Sequence, residues 1–267
     1  MEKFKTKKER DNTIITLRKR GLTTYKIAEL MNMKRTRISS ILIKHGYGTY
    51  KIKNVSIDLL KQNPEILGEL LGIFSADGNC YKSGHHFIIR FSLSADERDY
   101  AENLMNLFSF YLCKKPFIYY EQHGSGIVLK YNSRVLKDLL REYLDWESKK
   151  SYSICLKTTN HPKDFLTGFI RGFLDCDGYT HKTQRKVSLF CISEKIMRQI
   201  FTIISDFGFD PDFYVYYDKR KNRKPMYFVN LVKDDAAKFI DFVQPRNEKR
   251  KKWVQGDLNS RLKLFMN

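Results

Sequence analysis

Two aspartates stand out by their surroundings. Asp77 and Asp177 lie 100 residues apart, each followed by glycine, and each closes the same kind of segment. The first is Gly68-Glu-Leu-Leu-Gly-Ile-Phe-Ser-Ala-Asp-Gly78; the second is Gly168-Phe-Ile-Arg-Gly-Phe-Leu-Asp-Cys-Asp-Gly178. Small residues recur every four positions, at Gly68, Gly72 and Ala76 and at Gly168, Gly172 and Cys176, which places them on one helical face. Glycine within a helix costs about 1 kcal/mol relative to alanine, so four of them require a reason, and close approach of two backbones supplies it. The pattern predicts two helices packed side by side, with Gly78 and Gly178 as left-handed C-terminal caps. Asp77 and Asp177 then lie next to each other where two helix dipoles are negative and two carboxylates repel. A divalent cation resolves both conflicts, and oxygen ligands favour Mg²⁺, Mn²⁺ or Ca²⁺ over zinc. A carboxylate pair holding Mg²⁺ beside a basic surface is equipment for phosphodiester hydrolysis.

The elements that must position these aspartates are also written twice. Pro64 and Pro162 stand where a first helical turn begins. Downstream, residues 87–94 align with 187–193 within a residue, and both run into helical segments, 95–112 and 194–207. Alternating aromatic segments of strand type follow at 117–121 and 127–131, and again at 213–217 and 226–231. Each half closes with a helix, 134–144 and 234–243. The fold class is α+β, with two pseudo-symmetric αββαββα halves meeting through the paired helices. The halves are read as 64–160 and 161–267, the second ending in a basic tail.

At these residues the sequence resembles the LAGLIDADG homing endonucleases in their single-chain, two-motif form. The motif copies are Leu70-Leu-Gly-Ile-Phe-Ser-Ala-Asp-Gly78 and Ile170-Arg-Gly-Phe-Leu-Asp-Cys-Asp-Gly178, and the likeness covers roughly 64–253. The resemblance implies that the motif helices form the interface between halves. It implies that Asp77 and Asp177 bind metal, with the carbonyls of Ala76 and Cys176 as weaker ligands, and that two saddle-shaped sheets track the DNA major groove. Mg²⁺ is the implied cofactor, with Mn²⁺ able to substitute and Ca²⁺ supporting binding without cleavage. One departure is Ser75, which replaces an acid that the second copy keeps as Asp175. The family also places a basic residue near each metal. Lys150 lies 73 residues after Asp77 and Lys251 lies 74 after Asp177, each in a basic cluster before a hydrophobic stretch. They are the candidates for polarising water or neutralising the phosphate, with Lys130 and Lys224 as rivals. On the strands and their loops, Arg90, Lys130 and Arg185 are candidate DNA contacts, as are Lys219, Arg220, Lys221, Arg223 and Lys224 in the loop after the third strand of the second half. Tyr119, Glu121, Tyr214, Tyr216 and Asp218 fit the same pattern loosely.

Composition supports a polyanionic partner. The 267 residues carry 49 Lys+Arg against 30 Asp+Glu, a formal net charge of +19. Hydrophobic residues at 42% exclude a disordered chain. The apolar runs are short and interrupted by charge, which excludes a membrane-spanning helix, and the charged N-terminus has no apolar stretch behind it to make a secretory signal. Five cysteines with no Cys-x-x-Cys spacing argue for a reducing, intracellular compartment. The charge is concentrated: residues 1–63 hold 16 Lys+Arg and 5 Asp+Glu. Within them, two short amphipathic segments break near Asn32, with Ile27, Ala28, Leu30 and Met31 on one and Ile38, Ile41 and Leu42 on the other. This resembles a helix-turn-helix motif, whose second helix enters the major groove, and Arg35, Thr36, Arg37 and Ser40 then face bases or phosphates. The module spans 1–50, followed by a linker over 51–63 with one short helix.

Together these features predict a monomeric, Mg²⁺-dependent double-strand DNA endonuclease with a long specific target, free-standing and intron-associated. The alternatives are a non-cleaving helix-turn-helix/LAGLIDADG transcription regulator and an RNA maturase. The retained acid pair favours the nuclease; the N-terminal module favours the regulator.

Overall fold

A computed structural model describes residues 6–19, 22, 24–45, 55–121, 125–181, 185–220 and 223–251. The chain divides into two units, Met1–Asn54 and Val55–Asn267.

The small unit contains three helices: α1 (Lys7–Lys19), α2 (Thr24–Leu30) and α3 (Arg35–Lys44). Its core is Ile14, Ile27, Met31, Ile38, Ile41 and Leu42. The turn between α2 and α3 passes through Asn32 at φ 49°, a left-handed conformation that asparagine tolerates better than most residues. Asp11 is buried beside Arg10 at 2.7 Å and His45 at 3.7 Å.

The large unit begins before its first long helix. Val55 and Leu60, from the segment expected to act as a linker, are buried in its core, and α4 (Asp58–Lys61) leads into α5 (Pro64–Asp77). The first half then runs β1 (Gly78–Ser83), β2 (His86–Ser94), a 3-10 turn (Ala95–Glu97), α6 (Arg98–Tyr111), β3 (Phe117–Tyr120), β4 (Gly126–Asn132) and α7 (Arg134–Tyr143). A bridging segment follows: β5 (Leu144–Asp145), α8 (Lys150–Ser153) and β6 (Cys155–Leu156). The second half repeats the order with α9 (Lys163–Asp177), β7 (Gly178–His181), β8 (Lys186–Cys191), α10 (Glu194–Asp206), β9 (Asp212–Tyr216), β10 (Met226–Val232) and α11 (Lys233–Val243). The αββαββα order expected from the sequence is present in both halves.

Each half contains one antiparallel four-stranded sheet, ordered β1-β2-β4-β3 and β7-β8-β10-β9. The registers match across the halves. Gly78 pairs with Phe91, which pairs with Leu129; Gly178 pairs with Leu189, which pairs with Val229. One face of each sheet is buried against helices, with Ile89, Phe91, Leu93 and Leu129 in the first and Val187, Leu189, Val229 and Leu231 in the second. Alternation along the strands turns the intervening residues to the opposite face. No helix among the described residues is long and apolar enough to cross a membrane.

Helices α5 and α9 form the seam between the halves. A Cβ placed on Gly68 or Gly72 would overlap the carbonyl of Phe165 or Phe169, and one placed on Gly168 or Gly172 would overlap that of Glu65 or Glu69. The reciprocity is that of a two-fold axis: each glycine meets the residue three before its symmetry counterpart or the matching residue one turn on. All four interface glycines are thus needed for space rather than for backbone freedom.

Gly78 and Gly178 depart from expectation. They are extended, at φ −80° and −97°, and are not left-handed caps. The chain passes directly from helix into strand, and a Cβ on either residue would strike the preceding turn, at Phe74 and Leu174 respectively. Glycine is required here because the strand leaves so close to the helix.

Candidate active site at the carboxyl ends of the paired helices

The seam delivers Asp77 and Asp177 to one place. Asp177 feels the charge of Asp77, and both feel Lys150 and Arg250. Burial raises the Asp77 carboxyl to about 6, with the charge of Glu97 adding to it and a hydrogen bond with the Cys176 thiol, Lys150 and Arg250 opposing. Burial, then repulsion by Asp77, raises Asp177 to about 7. Lys150 and Arg250 offset the burial of their ionised forms only in part.

The two cations have specific posts. Lys150 opens α8 and turns back over the end of α5, where its Nζ donates to the carbonyls of Phe74 (2.8 Å), Ser75 (2.7 Å) and Ala76 (3.2 Å). The Phe74 carbonyl also accepts from the Gly78 N–H; an ammonium here occupies further lone pairs of the last-turn carbonyls and offsets the negative end of the dipole. Burial pulls the Lys150 amine down to about 8, against the charges of Cys191, Asp177 and Asp77. In the second half the same post is held by Arg250, whose Nη2 reaches the Cys176 carbonyl at 3.3 Å. Its Nε is buried without a hydrogen-bond partner among the described residues.

This corrects the pairing drawn from spacing. Lys251 does not occupy the position equivalent to Lys150; it reaches outward to Glu248 at 2.8 Å. The signal for Arg250 was present in the sequence, because it lies 73 residues after Asp177, as Lys150 lies after Asp77. Aligning the basic clusters by their following hydrophobic stretches introduced a one-residue slip.

Asp175 is the other residue that spacing undervalued. It is fully buried and accepts hydrogen bonds from the backbone N–H groups of Arg246 (2.9 Å) and Asn247 (3.0 Å). The Asn247 side chain donates to the Asp175 carbonyl at 3.0 Å and to Glu97 of the first half at 2.9 Å. Asp175 therefore docks the segment that carries Arg250. The hydroxyl of its counterpart Ser75 donates back along its own helix, to the Leu71 carbonyl. The first half holds its basic segment differently, by packing Trp146 on Phe74 (ring centroids 5.3 Å apart) and under Arg141, which also donates to the Trp146 carbonyl. Behind the site, Glu69 is fully buried and bonded to Arg246 at 2.6 Å and Arg171 at 3.4 Å.

The donor set suits a hard cation. The two carboxylates lie within electrostatic reach of each other and have raised affinity for protons, and an open hollow of about 560 Å³ on the Asp77 side is lined by Ala76, Asp77, Asn79, Lys149, Lys150 and Ser151. Among the described residues no cluster of three or more His, Cys, Asp or Glu side chains forms. A cation between Asp77 and Asp177 would complete its shell with carbonyl, water or phosphate oxygens, as Mg²⁺ commonly does. The Ala76 and Cys176 carbonyls, the weaker ligands expected, are already engaged by Lys150 and Arg250.

The remaining predicted residues are spread more widely. Arg90 and Lys130 pair across β2 and β4 on the outer sheet face, and Arg90 is held by Glu121 at 2.9 Å. Arg185 is not on the strand face; it occupies a left-handed position before β8 and is tied to Asp234 at 2.6 Å. Arg220 is engaged by Asp218, which it holds down to about 2. Lys219, Arg223 and Lys224 are exposed, and Lys221 lies outside the described residues. In the small unit, Arg35, Thr36, Arg37 and Ser40 are exposed on α3.

Residues 164–243 match the family model of a LAGLIDADG-like domain. The chain has the LAGLIDADG fold. Two solved proteins share it. The homing endonuclease I-DmoI, in complex with DNA and Mn, aligns at TM-score 0.51 and 15% identity over 67% of this chain and 96% of that one. Full-length DUF199/WhiA from Thermatoga maritima aligns at TM-score 0.51 and 15% identity over 74% of this chain and 61% of that one. A curated relative, a probable translation initiation factor IF-2 of Methanocaldococcus jannaschii, is 26% identical over 110 residues. The match spans 40% of this chain and a tenth of that protein. The LAGLIDADG-like match lies within the second half; in the first half α5, Asp77 and β1 repeat the arrangement of α9, Asp177 and β7.

Proposed function

We propose that this LAGLIDADG protein is a site-specific double-strand DNA endonuclease dependent on a divalent cation. One observation carries the reading: two half-buried carboxylates meet at the carboxyl ends of paired helices, each flanked by a cationic side chain. In this reading Asp77 and Asp177 hold Mg²⁺, or Mn²⁺ in its place, and Ca²⁺ supports binding alone. The bound cation would supply Lewis-acid polarisation of a phosphodiester and a more acidic water. Lys150 and Arg250 offset the negative charge that grows on each phosphate. Lys150, with its amine near 8, also exchanges a proton readily near neutral pH. Asp175 keeps Arg250 in place. The outer sheet faces lie along the major groove, and the exposed basic residues of 219–224 meet phosphates. I-DmoI, the DNA-bound homing endonuclease with this fold, supports the reading by analogy.

A second reading is favoured by the cations themselves. Lys150 and Arg250 already sit on the helix ends, so a metal-free, non-cleaving DNA-binding regulator could use the same scaffold. A three-helix N-terminal unit with a basic helix suits such a protein, and DUF199/WhiA shares the fold.

A cleavage selection separates the two. The full chain is incubated with a random duplex library in Mg²⁺ or EDTA, and the new ends are sequenced. One enriched motif of roughly 20 base pairs, cut only in Mg²⁺, is the expected result. Binding of a motif without any cutting would replace the nuclease by the regulator.

A further inference from the structure

The outer faces of the two sheets are symmetric in backbone and different in chemistry. The matched registers make the comparison exact in position. In the first sheet, Asn79, Arg90, Lys130 and Phe117 form one row across the strands. The equivalent row in the second is Tyr179, Ser188, Asn230 and Asp212. The next row is Ser92, Val128 and Tyr119 in the first sheet; in the second it is Phe190, Phe228 and Tyr214. Beyond it the second sheet adds Met226 and Tyr216. Serine and valine have been replaced by two phenylalanines.

These rings form a continuous strip. Phe190 and Phe228 have centroids 5.6 Å apart, and Phe228 and Tyr214 6.0 Å apart. None belongs to the hydrophobic core under the sheet. Tyr214 is 54% exposed and Tyr216 47% exposed. Positive charge stands beyond the strip at both ends, past the Ser188–Asn230–Asp212 row at one of them. Lys186, paired with Val232, stands at one end; the connection leaving Tyr216 and returning at Met226 carries Lys219, Arg223 and Lys224 at the other. A polyanion is the partner that fits a face with basic ends.

What such a face reads in a duplex follows from the chemistry of the groove. Phenylalanine has no hydrogen-bonding group, so it cannot read guanine O6 and N7 or the cytosine amino group. The apolar feature of the major groove is the thymine 5-methyl. We infer that the second sheet recognises thymine methyls, so that the half-site beneath it is thymine-rich through Phe190, Phe228 and Tyr214. In the first sheet the exposed rings, Phe117 and Tyr119, stand on the edge strand beside the charged Arg90–Lys130 pair and do not continue across the centre, where Ser92 and the buried Val128 lie, so that sheet has no comparable strip. The target is accordingly asymmetric, matching two halves of one chain. This inference rests on the proposed binding of duplex DNA and does not need cleavage.

The test uses the full chain in Ca²⁺ and duplexes recovered by binding from a random library. The recovered site is then synthesised with uracil replacing thymine in one half at a time, which removes methyl groups and leaves every hydrogen-bonding group intact. The expected result is a loss of affinity on uracil substitution of one half-site only, about fourfold for each methyl contacted, the weight of one buried methylene. In the variant Phe190→Ser/Phe228→Val, which copies the first sheet's Ser92 and Val128, the preference for the thymine over the uracil duplex should shrink to what Tyr214 alone supplies. A uracil duplex bound as well as its thymine parent would overturn the inference while leaving duplex binding intact. Equal loss from both halves, or an undiminished sensitivity in the double variant, would overturn it too. Recovery of no duplex at all would overturn the DNA reading itself, and this inference with it.

Discussion

The Nζ of Lys150 lies 2.7 Å from the carbonyl oxygen of Ser75, two residues before the aspartate that closes the same helix. The side chain thus connects the bridging segment to the end of α5 and brings a positive charge within influence of both aspartates. Arg250 does the same for α9 through Cys176. Structure and chemistry are joined at these two residues, since each neutralises a helix end and faces the acid pair.

The first prediction separates the true partner from its neighbour. Lys150→Ala and Arg250→Ala should each lower cleavage by about 100-fold or more, the range seen when a preorganised charge-stabilising donor is removed. Affinity for the uncut duplex in Ca²⁺ should change little. Lys251→Ala, whose side chain pairs with Glu248, should cut within about twofold of the parent. Strand-resolved gels read the outcome. Normal cutting by Arg250→Ala together with loss in Lys251→Ala would restore the pairing suggested by sequence spacing.

The second concerns pH in the absence of metal. Asp77 is raised to about 6 and Asp177 to about 7, from an ordinary value of 3.8, mainly by burial. Asp175, also raised to about 7 by burial, adds in the same sense. Between the unfolded and folded values the native state binds more protons than the unfolded one, so stability declines as pH rises through this interval. In EDTA the melting temperature should fall between about pH 5 and pH 8. Mg²⁺ should raise it far more at the higher pH, where the carboxylates are ionised and repel each other. A melting temperature in EDTA that climbs across that range would show that the acids are not held protonated.

The third tests the seam. Gly172→Ala places a methyl group against the carbonyl of Glu69, and neither backbone can move without disturbing the opposite helix. Overpacking of this kind should destabilise by about 3 kcal/mol or more. Gly84→Ala is a useful contrast. Gly84 has open space around it but a φ of +57°, so its smaller loss, about 1 kcal/mol, would come from backbone strain alone. Urea denaturation measures both, and a Gly172→Ala protein as stable as its parent would contradict the close approach.

The legibility of the sequence follows from where information is local. Glycines every four residues name a helix seam by themselves, and a 100-residue repeat exposes both halves at once. Asn32 likewise marks the left-handed turn between α2 and α3. Elements of two to four residues, β5, β6 and α8, are too short to have a period. Asp-Gly at the ends of α5 and α9 has two meanings, a left-handed cap or a crowded exit, and only the positions of Phe74 and Leu174 distinguish them. The buried ionic chain of Glu69, Arg171 and Arg246 was beyond reach for another reason: its members are up to 177 positions apart, and an acid inside an apolar helix looks like any surface charge until its neighbours are placed. The docking role of Asp175 is illegible for the same reason, because its partners are backbone N–H groups that no residue type announces.

The last prediction concerns the small unit. Its core of six apolar side chains holds α2 and α3 across the Asn32 turn. Arg35, Thr36, Arg37 and Ser40 are left outward on α3, and Arg35 lies over the Tyr25 ring at 5.3 Å. The exposed residues are not needed to fold the unit, so a role for them must be sought in binding. If α3 enters the major groove, deleting residues 1–54 should weaken duplex affinity and flatten its salt dependence. Each lost phosphate contact should reduce the slope of log K against log salt by about 0.9. Arg37→Ala alone should remove about one such contact if it meets a phosphate. If it meets a guanine instead, the slope should hold while one base position of the selected motif loses its preference. In both cases the scissile bonds should stay where they are, since Asp77 and Asp177 lie in the large unit. A truncated protein with the same affinity and the same slope would assign the small unit a role other than DNA contact.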